Sequence, residues 1–280
     1  MADSGGQLTE PSPPPACASL SIYTRNALLD HLFGKSTFTM PTIWVGLQNS
    51  GGTEFSAGNY ARVETASTDW STSTELTLAV TSLVDFEFGV PSANWGIAAK
   101  IALYDAESGG NELASEDLDE LVEIVAGLTS VTFAAGDVSF GAQGRLEDAF
   151  LNAMLNHLFG HAVMESLDEC WIALCDNYGD EPGWSGSGYY REQMLPADWN
   201  DAADASISNA ANVAFGQPLS NWGNIYLCRL YSHSTYGDSG GLPSGGATLI
   251  AEAWFIDSRD VTTVDAPPEF LAGRLRVRLI

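Results

Sequence analysis

The sequence predicts a mainly β protein made of two tandem antiparallel β-sandwich or jelly-roll-like domains, each opened by a short α-helix. Three observations predict it. A long internal repeat halves the chain. One helical run starts each half, and the rest of each half breaks into short runs of β-formers between turn residues. The repeat is read directly. Asn26-Ala-Leu-Leu-Asp-His-Leu-Phe-Gly34 returns as Asn152-Ala-Met-Leu-Asn-His-Leu-Phe-Gly160, and Trp44-Val-Gly-Leu47 returns as Trp171-Ile-Ala-Leu174. Phe88-Gly-Val-Pro-Ser-Ala-Asn-Trp-Gly96 returns as Phe215-Gly-Gln-Pro-Leu-Ser-Asn-Trp-Gly223. The offset is 126 residues for the first block and 127 for the other two, a period too long for a solenoid unit and suited to a whole domain. With 280 residues, each half is long enough to bury its own core.

The elements follow in order. Residues 1–18, with Pro11, Pro13, Pro14 and Pro15, read as an extended arm, either a loose terminus or one that orders on a neighbouring subunit. The first domain spans 19–141 and the second 142–280. In Ser19 to Phe33, Leu20, Tyr23, Ala27, Leu28 and Leu32 recur at helical spacing, and Gly34 is a natural stop. Leu146, Phe150, Met154, Leu155 and Leu158 do the same in Arg145 to Phe159, closed by Gly160. Strands are expected near Thr42–Gln48, Tyr60–Glu64, Glu75–Leu78, Leu83–Phe88, Ile97–Tyr104, Glu112–Ser115, Leu121–Val125, Val131–Phe133 and Asp137–Phe140. In the second half they are expected near Cys170–Cys175, Tyr189–Gln193, Ala205–Ser208, Val213–Phe215, Asn224–Tyr231, Thr248–Phe255, Val261–Val264 and Leu271–Leu279. So many short strands suit a sandwich or jelly roll. Asn94, Trp95 and Gly96, with Asn221, Trp222 and Gly223, read as a structural motif: two turn formers around a Trp that plugs one end of a core.

Charge narrows the function classes. The chain holds 36 acidic and 11 basic residues, a formal net charge of −25, and its only lysines are Lys35 and Lys100. Such a surface repels nucleic acid and is characteristic of proteins working in concentrated salt, where charge is strongly screened. A halophilic host is expected. There is no basic-then-apolar N-terminal signal and no run long and apolar enough to span a membrane. Four cysteines do not make a disulfide scaffold at this length. Cys170 and Cys175, five apart on one strand, face opposite ways, and Cys228 sits in another apolar run.

Several motifs carry a family resemblance: the Asn26 to His31 helix opening, the Trp44 to Leu47 strand core and the Asn94 to Gly96 turn. Tyr104-Asp105, the Gly109-Gly-Asn-Glu-Leu113 hairpin and the closing Phe133 to Ser139 segment complete the pattern. It resembles a family of tailed-phage structural proteins, usually labelled tail or tail-fibre proteins. The resemblance covers nearly all of 19–141 and, more weakly, 145–279. There Gly245-Gly246 corresponds to Gly109-Gly110, and Phe270-Leu-Ala-Gly273 to Phe133-Ala-Ala-Gly136. The family usually carries one unit, so the duplication is a departure. The resemblance implies a virion component without catalytic residues and leaves tail or capsid open.

Candidate chemistry is sparse. Gly237-Asp-Ser-Gly-Gly241 looks like a serine-protease nucleophile loop, but none of His31, His157, His161 and His233 stands in the context that chemistry requires. His157 and His161 are weak metal candidates, four apart on the predicted helix, but His157 repeats His31, which favours a shared structural role. Asp176 and Asp180, in Asp176-Asn-Tyr-Gly-Asp-Glu181, offer oxygen ligands of the kind calcium favours, at a spacing that is not an EF-hand. No cofactor is expected, calcium being the one candidate. Arg274, Arg276 and Arg278 alternate with Leu275, Val277 and Leu279. On a strand they share one face, a contact stripe for an acidic partner or a solvent face paired with acidic neighbours.

The expectation is a non-enzymatic structural protein of a tailed virus, assembled in the host cytoplasm into the virion and adapted to high salt. It forms a homo-oligomeric surface projection, a tail fibre or baseplate part or a capsid decoration or turret. Its partners would be other virion proteins and a host surface glycan or protein, the latter met through second-domain loops such as Asp176–Gly188 and Ser232–Gly246, longer than in the first copy and rich in Tyr, Trp, Gly and Ser. The alternative is a secreted carbohydrate-binding module or hydrolase.

Overall fold

The computed structural model describes residues 19–183, 185–233 and 247–280. The predicted arm over 1–18, the Gly237–Gly241 motif, Gly245-Gly246 and most of the Ser232–Gly246 loop lie outside the described residues. The first repeat runs β1 (Ser19–Leu20), α1 (Ile22–Leu32), β2 (Ile43–Gln48), β3 (Val63–Thr65), a 3-10 turn, β4 (Ala79–Thr81), β5 (Phe86–Glu87), β6 (Gly96–Tyr104), β7 (Glu112–Ile124), β8 (Thr132–Phe133) and β9 (Ser139–Gly141). The second runs α2 (Asp148–Leu158), β10 (Cys170–Cys175), β11 (Glu192–Met194), a 3-10 turn, β12 (Ser206–Ser208), β13 (Val213–Ala214), β14 (Gly223–Tyr231), β15 (Leu249–Val261), β16 (Glu269–Phe270) and β17 (Arg276–Arg278).

The fold is mainly β and antiparallel, with the two predicted helices. One large sheet is ordered β1-β7-β6-β2-β3 and its counterpart β11-β10-β14-β15; the paired ladders β4-β9 and β5-β8 recur as β12-β17 and β13-β16. Inward side chains of the large sheet (Val45, Leu47, Ile101, Leu103) join Val80, Phe86 and Phe140 of the small ladders and Leu28, Leu29 and Leu32 of α1 in one apolar cluster. Alternation along each strand supplies this apolar face.

Several boundaries differ from the sequence expectation, each for a local reason. Both helices start later than predicted. Ser21 caps α1, its Oγ accepting the Thr24 N–H at 3.1 Å. Leu20, upstream of the cap, is extended and pairs with Ala114, as Leu146 bridges Ala251. Gly34 and Gly160, at φ +68° and +74°, stop the two helices in the left-handed region. The expected strand at Glu75–Leu78 is a turn, with Leu78 at φ +45° and Thr74 and Thr77 hydrogen-bonding each other. The acidic stretch between the expected strands Glu112–Ser115 and Leu121–Val125 does not interrupt them. β6 pairs with it from Glu112 to Asp117 and again from Val122 to Ile124, and the register shift between Ala98 and Lys100 takes up Leu118–Leu121 between the two paired parts. β15 likewise joins Thr248–Phe255 to Val261, and the expected Leu271–Leu279 strand contracts to β17.

The two repeats meet through their helices, each of which docks on the other repeat. Asp30 Oδ1 accepts the Ala202 N–H at 2.7 Å, and the equivalent Asn156 Oδ1 accepts the Ser73 N–H at 3.0 Å. Phe33 packs on Trp199 with ring centroids 4.7 Å apart, and Phe159 packs on Trp70 at 5.0 Å. A β-carbon at Gly34 would stand 2.9 Å from Pro196 Cγ, so the turn after α1 is also pressed against the second repeat. The apolar core therefore runs without a break through both repeats. The reciprocity is that of a pseudo-two-fold axis.

Candidate functional site

On that axis His31 and His157 stack, ring centroids 4.8 Å apart and planes 7° from parallel. His31 Nδ1 accepts the Phe38 N–H at 3.2 Å, and its Nε2 lies 2.7 Å from the Met164 carbonyl. His157 mirrors this with the Met164 N–H at 3.2 Å and the Phe38 carbonyl at 2.8 Å. With each Nδ1 accepting, the ring proton belongs on Nε2, which donates across the joint. Both nitrogens of His157 are thus engaged by backbone. His161 lies beyond the end of α2, not on it as the sequence suggested, and its Nε2 lies 3.0 Å from the Ser71 carbonyl. The helix ends at Leu158 because Gly160 turns the chain. The equivalent Lys35 donates to the Trp199 carbonyl at 2.8 Å. These two histidines are used to join the repeats.

Asp176 Oδ1 accepts the N–H groups of Tyr178 and Asp180 at 2.8 and 3.0 Å, folding the loop on itself, while the Asp180 side chain is exposed. Among the described residues no group of three or more His, Cys, Asp or Glu side chains is placed to hold a metal ion. Cys170, Cys175 and Cys228 are buried free thiols. Burial pushes Cys170 and Cys228 up to about 12 and Cys175 upward as well, so they are not nucleophiles at neutral pH.

The Asn-Trp-Gly motifs tie loops together. Trp95 and Trp222 are buried and donate Nε1 to the carbonyls of Gly58 and Ser187 at 3.0 and 2.9 Å. Asn94 Oδ1 accepts the Ala126 N–H, and Asn221 Oδ1 the Thr263 N–H. Gly96 and Gly223, at φ +115° and +82°, start β6 and β14.

A second duplicated cluster escaped the sequence reading. Arg62 meets both carboxylate oxygens of Glu54 at 2.7 Å, and its guanidinium lies 3.4 Å from the centre of the Tyr104 ring. Tyr60 Oη donates to Glu54 at 3.1 Å and accepts the Leu47 N–H at 2.7 Å. The second repeat rebuilds it with Arg191, Glu181, Tyr231 and Tyr189. The available signal was a second register of the repeat. Tyr60-x-Arg62 returns as Tyr189-x-Arg191, and Asp69-Trp70 as Asp198-Trp199, both offset by 129. The Glu181 carboxylate, in the loop considered for calcium, is therefore taken up by Arg191 and Tyr189.

Arg276 and Arg278 stand exposed on β17, paired across the ladder with Ser208 and Ser206. Arg274 is exposed in the turn before the strand, so the predicted stripe is shorter than a full strand face. None of the three makes a salt bridge among the described residues; the five salt bridges present use Lys35, Arg62, Lys100, Arg191 and Arg229. Arg276 lines a cleft of about 340 Å³ with Arg145 and Trp254.

Fold and site define a duplicated antiparallel β unit whose buried polar clusters hold backbone segments in place. The chain belongs to the family of the podophage GP4 fiber I protein gp80, whose model matches residues 19–141 and 146–278, one match to each repeat. Comparison with curated proteins finds no match. Membership of a phage fibre family implies a virion component that associates with other virion proteins, and points away from catalysis.

Proposed function

We propose that the protein is a subunit of an oligomeric tail-fibre or baseplate projection on a tailed virus whose host lives in high salt. The observation that carries this reading is the fibre-family match to both repeats. The joint adds to it. Two fibre units fused through His31, His157 and a continuous core form one stiff block, as a projection that bears load requires. The net charge of −25 suits a salt-rich medium, where screening suppresses self-repulsion. Arg274 and Arg278 form its contact for an acidic partner, because guanidinium pairs with carboxylate through two parallel hydrogen bonds. The loops of the second repeat around Asp176–Gly188 face the host.

The test is copy number per purified virion, by quantitative mass spectrometry against the major capsid protein. A small multiple of the tail symmetry is expected. A count matching the symmetry-related positions of the shell would make it a capsid decoration or turret instead. Absence from the particle would refute the virion role.

A further inference from the structure

The two repeats diverge sharply at one place on the large sheets. In the first, Glu116 stands opposite Ile101 in the β6–β7 ladder; in the second, Ala253 stands opposite the equivalent Cys228. Glu116 turns its carboxylate inward, with Oε2 buried and without a hydrogen-bond partner. Ala253 has no such side chain, and the space beside it is the cleft of about 340 Å³, lined also by Ile172, Leu275, Arg145, Arg276 and Trp254. The two arginines have no counterpart in the first repeat. Arg145 precedes the Leu146–Ala251 bridge where Ser19 precedes Leu20, and Arg276 faces Ser208 where Ser139 faces Thr81. So one repeat carries a carboxylate of its own at this position. The other carries an alanine, an opening and two cations.

Neither Arg145 nor Arg276 makes a salt bridge among the described residues. Arg276 gives Nε to the Gly273 carbonyl at 2.8 Å, which leaves its terminal nitrogens to a ligand. Trp254 is 59% exposed, and its position is held: its Nε1 donates to Glu252 Oε1 at 3.0 Å, and Glu252 Oε2 accepts from Arg229 at 2.8 Å. The cleft thus combines the guanidinium groups of Arg145 and Arg276, an Arg229–Glu252 ion pair in its wall, an oriented indole and apolar walls, in a volume at the small-ligand end of the usual range. An amphipathic ring carrying a carboxylate matches all of these: polar edges for the charged groups, an apolar face for the indole.

We propose that this cleft binds an acidic sugar of the hexuronate type. Its carboxylate lies between Arg145 and Arg276, where the first repeat places Glu116, and its ring lies on Trp254. The inference rests on the proposed fibre role. Virion copy number tests that role separately, and the binding experiment needs only the purified full chain.

The experiment is isothermal titration calorimetry of the full chain with trigalacturonate and with neutral maltotriose. It uses the wild type, Arg276→Ala and Ala253→Glu, the last supplying the first repeat's own carboxylate. Circular dichroism and thermal unfolding check that each variant is folded. Saturable trigalacturonate binding is expected, weakened by added salt, with no binding of maltotriose. At least a tenfold loss of affinity is expected in each variant. No binding to the wild type, or equal binding to a folded Ala253→Glu, would overturn the proposal. It would equally be overturned if trigalacturonate did nothing while Arg276→Ala reduced the size of the oligomer in light scattering, since the cleft would then hold a neighbouring subunit's carboxylate.

Discussion

In the first repeat Arg62 meets Glu54 with a quarter of the Glu54 side chain in solvent. In the second, Arg191 meets Glu181 with both side chains 3% exposed. The cluster is the same and its surroundings differ. Elsewhere the contrast runs along the strands: β7 presents Asp117, Asp119, Glu120 and Glu123 outward, whereas the matching stretch of β15 carries Trp254 and Arg259 beside its acids. Apart from Glu116 against Ala253, divergence has altered surfaces and kept the Arg–Glu clusters and the helix joint, as expected when each buried polar group depends on its partner.

The largest effect is expected where the repeats depend on each other. Trp199 belongs to the second repeat and packs on Phe33 of the first, so Trp199→Ala should cost about 3–5 kcal/mol and shift a single urea transition. Fluorescence and far-UV circular dichroism curves should superimpose. Two separated transitions would mean that the halves fold independently.

Next in size is the Arg–Glu comparison. Arg191→Ala leaves Glu181 buried without its cation and should cost about 3–5 kcal/mol. Arg62→Ala should cost visibly less in the same urea assay, because water reaches Glu54. Equal losses would show that burial is not what separates the two clusters.

The smallest effect sharpens the contrast at Glu116. Burial first, then the charges of Asp117 and Asp119, push it up to about 7 from 4.5. The folded state holds this proton more tightly than the unfolded chain. Its contribution to stability is therefore complete below about pH 4.5 and lost as pH rises through about 7. Glu116→Gln should remove that decline, a gain on the order of 1 kcal/mol at pH 8 after solvent screening and almost nothing at pH 4. Parallel stability–pH curves for variant and wild type would refute it.

Much of the fold was legible in the sequence. The repeat, the two helices and the strands at Ile43–Gln48, Gly96–Tyr104, Cys170–Cys175 and Gly223–Tyr231 come from patterns a few residues wide. The long β7 was not legible, because Glu116-Asp-Leu-Asp-Glu120 has poor strand propensity on its own, and it is carried by the β6 pairing of Glu116 and Asp117 and of Val122–Ile124 on either side of it. Glu54 and Arg62 were missed because each looks like any surface charge until Tyr60 and Tyr104 close around them.

By itself the sequence determined that there are two copies of one β unit, that one helix opens each copy and a glycine closes it, and that the surface is strongly acidic. These are local or compositional properties, set by side-chain periodicity, by glycine's access to positive φ and by counting charges. Only the tertiary structure decided that each helix docks on the other copy, that His31 and His157 share one axis, and that Arg145 and Arg276 flank a single cleft. Those pairings join residues more than a hundred positions apart, and no short-range pattern specifies them. They form because a continuous apolar core brings the backbones together and the buried polar groups must then find partners.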